Sequence, residues 1–193
     1  IAVYDGANIA NGTWSGELDL QSDYDAYLTA GTDHEFLGMA VNGMDIDADG
    51  ADDLVITAPG ADTGGCVFFL KGIPGLSLNN YNGLSLSSAL FGPLSTIDGA
   101  MICSSTQDAW FGWNNIPQLA DFDGDGTVDL AVGSPNEDKV YIYFDIDSFS
   151  GSYDADSDAD VIISGNRSFG HSLATADLNG DGGFVINGAV YDE

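Results

Sequence analysis

Cationic side chains are almost missing from this chain: Lys71, Lys139 and Arg167 stand against 31 acidic residues in 193, a formal charge of −28. A nucleic-acid binder needs a basic patch to neutralise phosphates, so that class of partner is excluded. Histidine is scarce as well, with only His34 and His171, and a transition-metal or acid–base role would need a partner that the sequence does not supply. No nucleophile elbow, zinc motif or phosphate loop is present, and a Ser-His-Asp triad would have to recruit one of those two histidines. An enzyme is therefore not expected. No apolar run reaches the about 18 residues of a membrane-spanning helix, so no membrane span is expected. The opening Ile1-Ala2-Val3-Tyr4 is not a basic, apolar leader and reads as a mature or trimmed product.

What is present is hydrophobic content of 44% with 11% aromatics, enough to core one globular domain over residues 1–193. So acidic a surface repels itself at low ionic strength and suits an extracellular, marine or saline setting. Two Asn-x-Ser/Thr sequons, at Asn11 and Asn166, would accept glycans in an exported chain.

The strongest signal is an Asp-rich loop written three times. The first copy runs Asp45, Asp47, Asp49, Gly50, Asp53; the second Asp121, Asp123, Asp125, Gly126, Asp129; the third opens Asp177, Asn179, Asp181, Gly182. Carboxylates at alternate positions, a glycine at the sixth and an Asp at the ninth curl the backbone around one hard cation; Ala51, Thr127 and Gly183 occupy the seventh, which in loops of this kind lends a backbone carbonyl. Four carboxylates held within about 4 Å of one another repel by roughly 4 kcal/mol per pair at an effective dielectric of 20, so a filled loop lies lower in energy than an empty one. Calcium is expected rather than magnesium, which keeps its waters and avoids all-protein cages. A helical EF-hand would need Glu at the twelfth position, where Ile56 and Val132 stand instead. Each intact loop leads into an apolar run (Leu54-Val55-Ile56, Leu130-Ala131-Val132) and then a breaker (Ala58-Pro59-Gly60, Gly133-Ser134-Pro135), so the loops join strands. The third copy has Val185 at the ninth position, and its exit strand follows Gly182 after only Gly183 and Phe184, as if two residues were lost or a stretch of chain skipped; that site is expected to be weaker or incomplete.

Around each loop the same order recurs. A Gly-led strand begins at Gly38, Gly112 and Gly170, a second strand leaves the loop, and an aromatic third follows at 66–70, 140–144 and 189–191. A fourth is read at Ala100-Met101-Ile102-Cys103 and Asp160-Val161-Ile162-Ile163. Four short strands per unit, repeated, describe the blade of an all-β propeller built of antiparallel sheets, with the acidic loops between strands one and two. Cys66 and Cys103 fall on neighbouring third and fourth strands, where a disulfide is geometrically reasonable.

Phe111-Gly112, the loop from Asp121, and Gly133-Ser134-Pro135 resemble the FG-GAP repeat, the blade of integrin α-subunit propellers; Leu37-Gly38 with Thr57-Ala58-Pro59, and Phe169-Gly170 with Asn187-Gly188-Ala189, are looser copies. The resemblance implies a calcium-braced propeller whose ions stiffen the rim and do no chemistry. Three units fall short of the four to eight blades that close a ring. The N-terminal strands, read at 1–4 and 26–30, are therefore expected to complete the last blade or pair with a neighbouring subunit. The expected function is adhesion, or a structural, polymeric component of the cell surface, with protein or glycan ligands. Alternatives are a lectin, with Trp14, Trp110, Trp113, Tyr141 and Tyr143 as sugar platforms, and the non-catalytic part of a polysaccharide-degrading enzyme.

Overall fold

A computed structural model of the chain describes residues 1–3, 17, 19, 23–30, 36–75, 77, 82–86, 98–113, 116–178 and 185–189. Every regular element described is a strand, apart from two short 3-10 turns at Pro135–Glu137 and Ile146–Ser148. The strands are β1 (Ala2–Val3), β2 (Ala26–Ala30), β3 (Val41–Met44), β4 (Asp53–Ala58), β5 (Cys66–Leu70), β6 (Leu84–Leu86) and β7 (Gly99–Cys103). They continue with β8 (Gln118–Ala120), β9 (Asp129–Ser134), β10 (Lys139–Tyr143), β11 (Gly151–Asp154), β12 (Val161–Ser164), β13 (Ser172–Ala176) and β14 (Val185–Ala189).

Two of the sequence repeats are four-stranded antiparallel units. The first is β3-β4-β5-β7 and the second β8-β9-β10-β12, each strand pairing with the next as the sequence order dictates. The third repeat contributes the hairpin β13-β14. Its register corrects the sequence reading. Ala176 faces Val185 just as Met44 faces Asp53 and Ala120 faces Asp129, so the third loop has the same length as the others and has lost no residue. Ala189, assigned from sequence to a third strand, is instead the last residue of β14, opposite Ser172.

The sheets stack face to face, which explains why β4, β5, β7, β9 and β10 are buried almost throughout instead of alternating. In β5 and β7 all five residues are buried, and in β9 all six. One face of the first repeat (Val55, Val67, Phe69, Ile102) packs on Leu130, Val132, Tyr141 and Tyr143 of the second. Its other face (Ile56, Phe68, Leu70, Met101) meets Leu28 and Leu86. The far face of the second repeat, Ala131, Val140 and Ile142, is covered by Phe169 and Leu173. Burying each such aliphatic or aromatic side chain contributes about 1.5–3 kcal/mol, and these interfaces form the core. The Phe-Gly step makes the close stacking feasible: Gly112 has φ +80°, and a Cβ there would come within 3.1–3.2 Å of Thr57 and Val67 in the preceding repeat.

The N-terminal strands pair with each other, Ala2 opposite Tyr27, and β2 pairs in parallel with β6. Their sheet lies over the first repeat, and among the described residues no ladder joins it to β13-β14.

Candidate metal centre

The two intact Asp loops are wired alike. Asp45 accepts from the amides of Asp49 (3.1 Å) and Gly50 (3.1 Å), and Asp121 accepts from those of Asp125 (3.2 Å) and Gly126 (2.9 Å). The third-position carboxylates, Asp47 and Asp123, receive the fifth-position amides at 3.3 and 3.1 Å. Asp49 and Asp125 then accept from the seventh-position amides of Ala51 and Thr127, both at 2.8 Å. The turn that permits this needs glycine at the sixth position on conformational grounds alone: Gly50 and Gly126 sit at φ +95° and +97°, with open space where a side chain would go.

The ninth-position residues are the first of β4 and β9, and both are fully buried. Asp53 accepts amides from Ile46 (2.8 Å) and Gly72 (2.7 Å), and Asp129 from Phe122 (2.6 Å) and Asp145 (3.1 Å). Burial pushes both carboxyls above the usual carboxylate range. Those amides oppose the rise, while neighbouring Asp47 and Asp49, or Asp123 and Asp121, add to it. The exposed Asp125 moves the other way, lowered chiefly by the Thr127 hydroxyl.

Side-chain oxygens of Asp45, Asp47 and Asp49 lie within 4.8 Å of one another, and so do those of Asp121, Asp123 and Asp129. Each loop thus gathers three of the same four sequence positions, missing Asp53 in one case and Asp125 in the other. All donors are hard oxygens, with no thiolate or imidazole in either group, and that set suits a hard divalent cation. Of the third loop Asp177, Leu178 and the ninth-position Val185 are described; Asn179, Asp181 and Gly183 lie outside the described residues, as does Asn11.

Two groups at these sites escaped the sequence reading. Asp145, in the left-handed turn after β10, accepts from the Thr127 hydroxyl and brings a further carboxylate to the rim of the second loop. Lys71, the residue directly after β5 and one position before the equivalent of Asp145, reaches within 3.8 Å of Asp47. Neither belongs to the periodic Asp pattern; only the return of the third strand brings them there.

Elsewhere, Cys66 and Cys103 are opposite each other in the β5-β7 ladder and joined in a disulfide. Asn166 is exposed in a turn. The aromatics divide: Tyr141 and Tyr143 are fully buried core residues, which removes them as sugar platforms. Trp110, 39% exposed, packs on Trp113 at 4.3 Å, and Phe36, 57% exposed, meets Trp113 edge-on at 5.8 Å. Phe36 and Trp110 are equivalent residues, each just before the Leu-Gly or Phe-Gly step and each at positive φ. Their cluster lies at the opposite end of strand one from the acidic loops. Trp14 and His34 lie outside the described residues.

Residues 113–145, the second Asp loop with its flanking strands, match the FG-GAP repeat family. This chain carries an FG-GAP repeat. The match holds the whole β8-loop-β9-β10 segment, and β3, β4 and β5 of the first repeat pair in the same order and register. The chain is also 26% identical, over 166 residues, to a phosphatidylinositol-glycan-specific phospholipase D from Dictyostelium discoideum. That alignment takes in 77% of this chain but 17% of the relative, so the chain spans about a sixth of its length. No helix among the described residues is long and apolar enough to cross a membrane.

Proposed function

We propose that this chain is part of a calcium-braced FG-GAP β-propeller that acts outside the cell, in adhesion or as a structural surface component, and that it is not itself catalytic. One observation carries the reading: two loops with the same wiring each bury a ninth-position Asp and gather three carboxylates within 4.8 Å. Without a cation that arrangement is self-repelling; with one, charge is neutralised and strand one is tied to strand two. Asp45, Asp47, Asp49 and Asp53 would hold the first ion, and Asp121, Asp123, Asp125 and Asp129 the second, with Asp145 beside it. The disulfide suits an oxidising location.

Because the folded loop binds the ion far better than the open chain, occupancy adds to stability by mass action, about 2.7 kcal/mol per site at a hundredfold excess over Kd. EDTA should therefore lower the melting temperature by several degrees, and excess calcium, more than magnesium, should restore it. An unchanged melt in chelator removes the proposal.

A second reading, glycan binding, is favoured by the exposed Phe36 and Trp110, which cluster on the half-buried Trp113. Glycan-array signal that disappears in Trp110→Ala with calcium stability intact would select it. The phospholipase D relative supports a third, a non-catalytic module of a larger hydrolytic enzyme; lipase turnover by this chain alone would refute the non-catalytic assignment.

A further inference from the structure

Both long connections between strands three and four do something that the repeat pattern does not require. In the first repeat the connection carries β6, which leaves its own sheet and lies parallel to β2 (Leu28 opposite Leu84, Ala30 opposite Leu86). In the second it carries β11, which lies parallel to β7, the outer strand of the first repeat (Ala100 opposite Gly151, Cys103 opposite Asp154). Each connection is thus a strap laid on the outer edge of the preceding sheet. The two straps share a serine followed by an apolar residue that joins the core: Ser85-Leu86, with Leu86 fully buried, and Ser152-Tyr153, with Tyr153 packed against the inter-repeat cluster and stacked on Phe149 at 4.3 Å.

Among the described residues the outer strand of the second repeat has no such cover. By register β12 is the equivalent of β7, since Ser164 faces Lys139 where Cys103 faces Cys66. Yet β7 is buried along its whole length, whereas all four residues of β12 are exposed, with Val161, Ile162 and Ile163 at 38, 40 and 37%. Among the described residues β12 is the edge of its sheet and pairs with β10 alone. An uncovered run of three β-branched apolar residues is the kind of edge that proteins blunt when it has no partner, and this one carries no Lys or Pro.

We infer that the free edge of β12 is a strand-addition site, and that its occupant is an extended segment running parallel to it: the strap between strands three and four of a further FG-GAP repeat. Two copies of the same device inside this chain set the geometry, with main-chain hydrogen bonds supplying affinity and one inward apolar side chain supplying register. The inference concerns how one repeat fastens to the next and is independent of cation binding.

A synthetic peptide of the β11 strap, residues 147–156, is the probe, added at millimolar concentration to the calcium-loaded full chain while amide hydrogen exchange is followed. The expected result is at least tenfold slower exchange within 161–164, absent with a scrambled peptide. Ile162→Lys combined with Ile163→Lys should abolish that slowing, with exchange in β10 unchanged as proof of folding. No slowing at saturating peptide, or slowing that survives the double substitution, overturns the inference. Slowing that arises without peptide and grows with protein concentration overturns it too, because the edge would then be covered by a second copy of the chain.

Discussion

At the level of single residues, the acidic loops separate two jobs that look alike in sequence. Asp53 and Asp129 are buried and hold backbone amides of both adjoining segments, whereas Asp123 is exposed and receives one amide, from Asp125. Asp123→Asn should therefore raise the melt in EDTA slightly above the parent's, because it removes one of the mutually repelling charges and leaves the buried amide contacts in place. It should also shrink the calcium-induced shift, and calcium titration followed by melting checks both. The buried tyrosines give a second residue-scale test. Burial, followed by the charges of Glu137 and Asp156, holds the Tyr141 hydroxyl far above the ordinary phenol range; burial does the same at Tyr143. With folded-state pKa values raised above the unfolded value of about 10, the neutral phenols are compatible with the fold below that pH. Above it the unfolded chain ionises while the folded chain does not, so stability should fall as pH climbs beyond about 10, a loss that Tyr141→Phe should reduce. Denaturant midpoints across pH 8–11 would measure it.

At the level of elements, the first repeat is stapled and the second is not. The disulfide joins opposite residues of β5 and β7 across 37 positions of chain. At the equivalent place in the second repeat Lys139 faces Ser164, with the ammonium held by Asp156 at 2.8 Å and Glu137 at 3.2 Å. Closing a loop of that length is worth about 4 kcal/mol in the chain-entropy account. Reduction, or Cys66→Ala with Cys103→Ala, should cost a large part of that amount, read as a lower denaturant midpoint in calcium buffer. The same comparison shows what could be read from sequence. Strand order, the loops and the Cys pairing follow from turn residues and β-branched runs, which act locally. The straps β6 and β11 did not announce themselves: Leu84-Ser85-Leu86 and Gly151-Ser152-Tyr153-Asp154 are short and only weakly patterned, and their strand character comes from an edge offered by a different repeat.

For the molecule as a whole, a charge of −28 with three cationic side chains means that compaction works against self-repulsion everywhere, not only at the metal loops. In EDTA the melting temperature should rise as NaCl goes from about 10 mM to 150 mM, because the screening length shortens from roughly 30 Å to 8 Å. A flat response would place the repulsion outside the energetics of folding. By itself the sequence determined the composition-level exclusions, the all-β repeat and the Asp positions, since periodicity and loop chemistry are properties of neighbouring residues. Tertiary structure alone decided which carboxylates are buried, which three of four converge in each loop, and that Asp145 and Lys71 reach them. It also decided that β7 is covered while β12 is open. These depend on which sheet stacks on which and on where each connection returns, and long-range packing of that kind leaves little trace in local pattern.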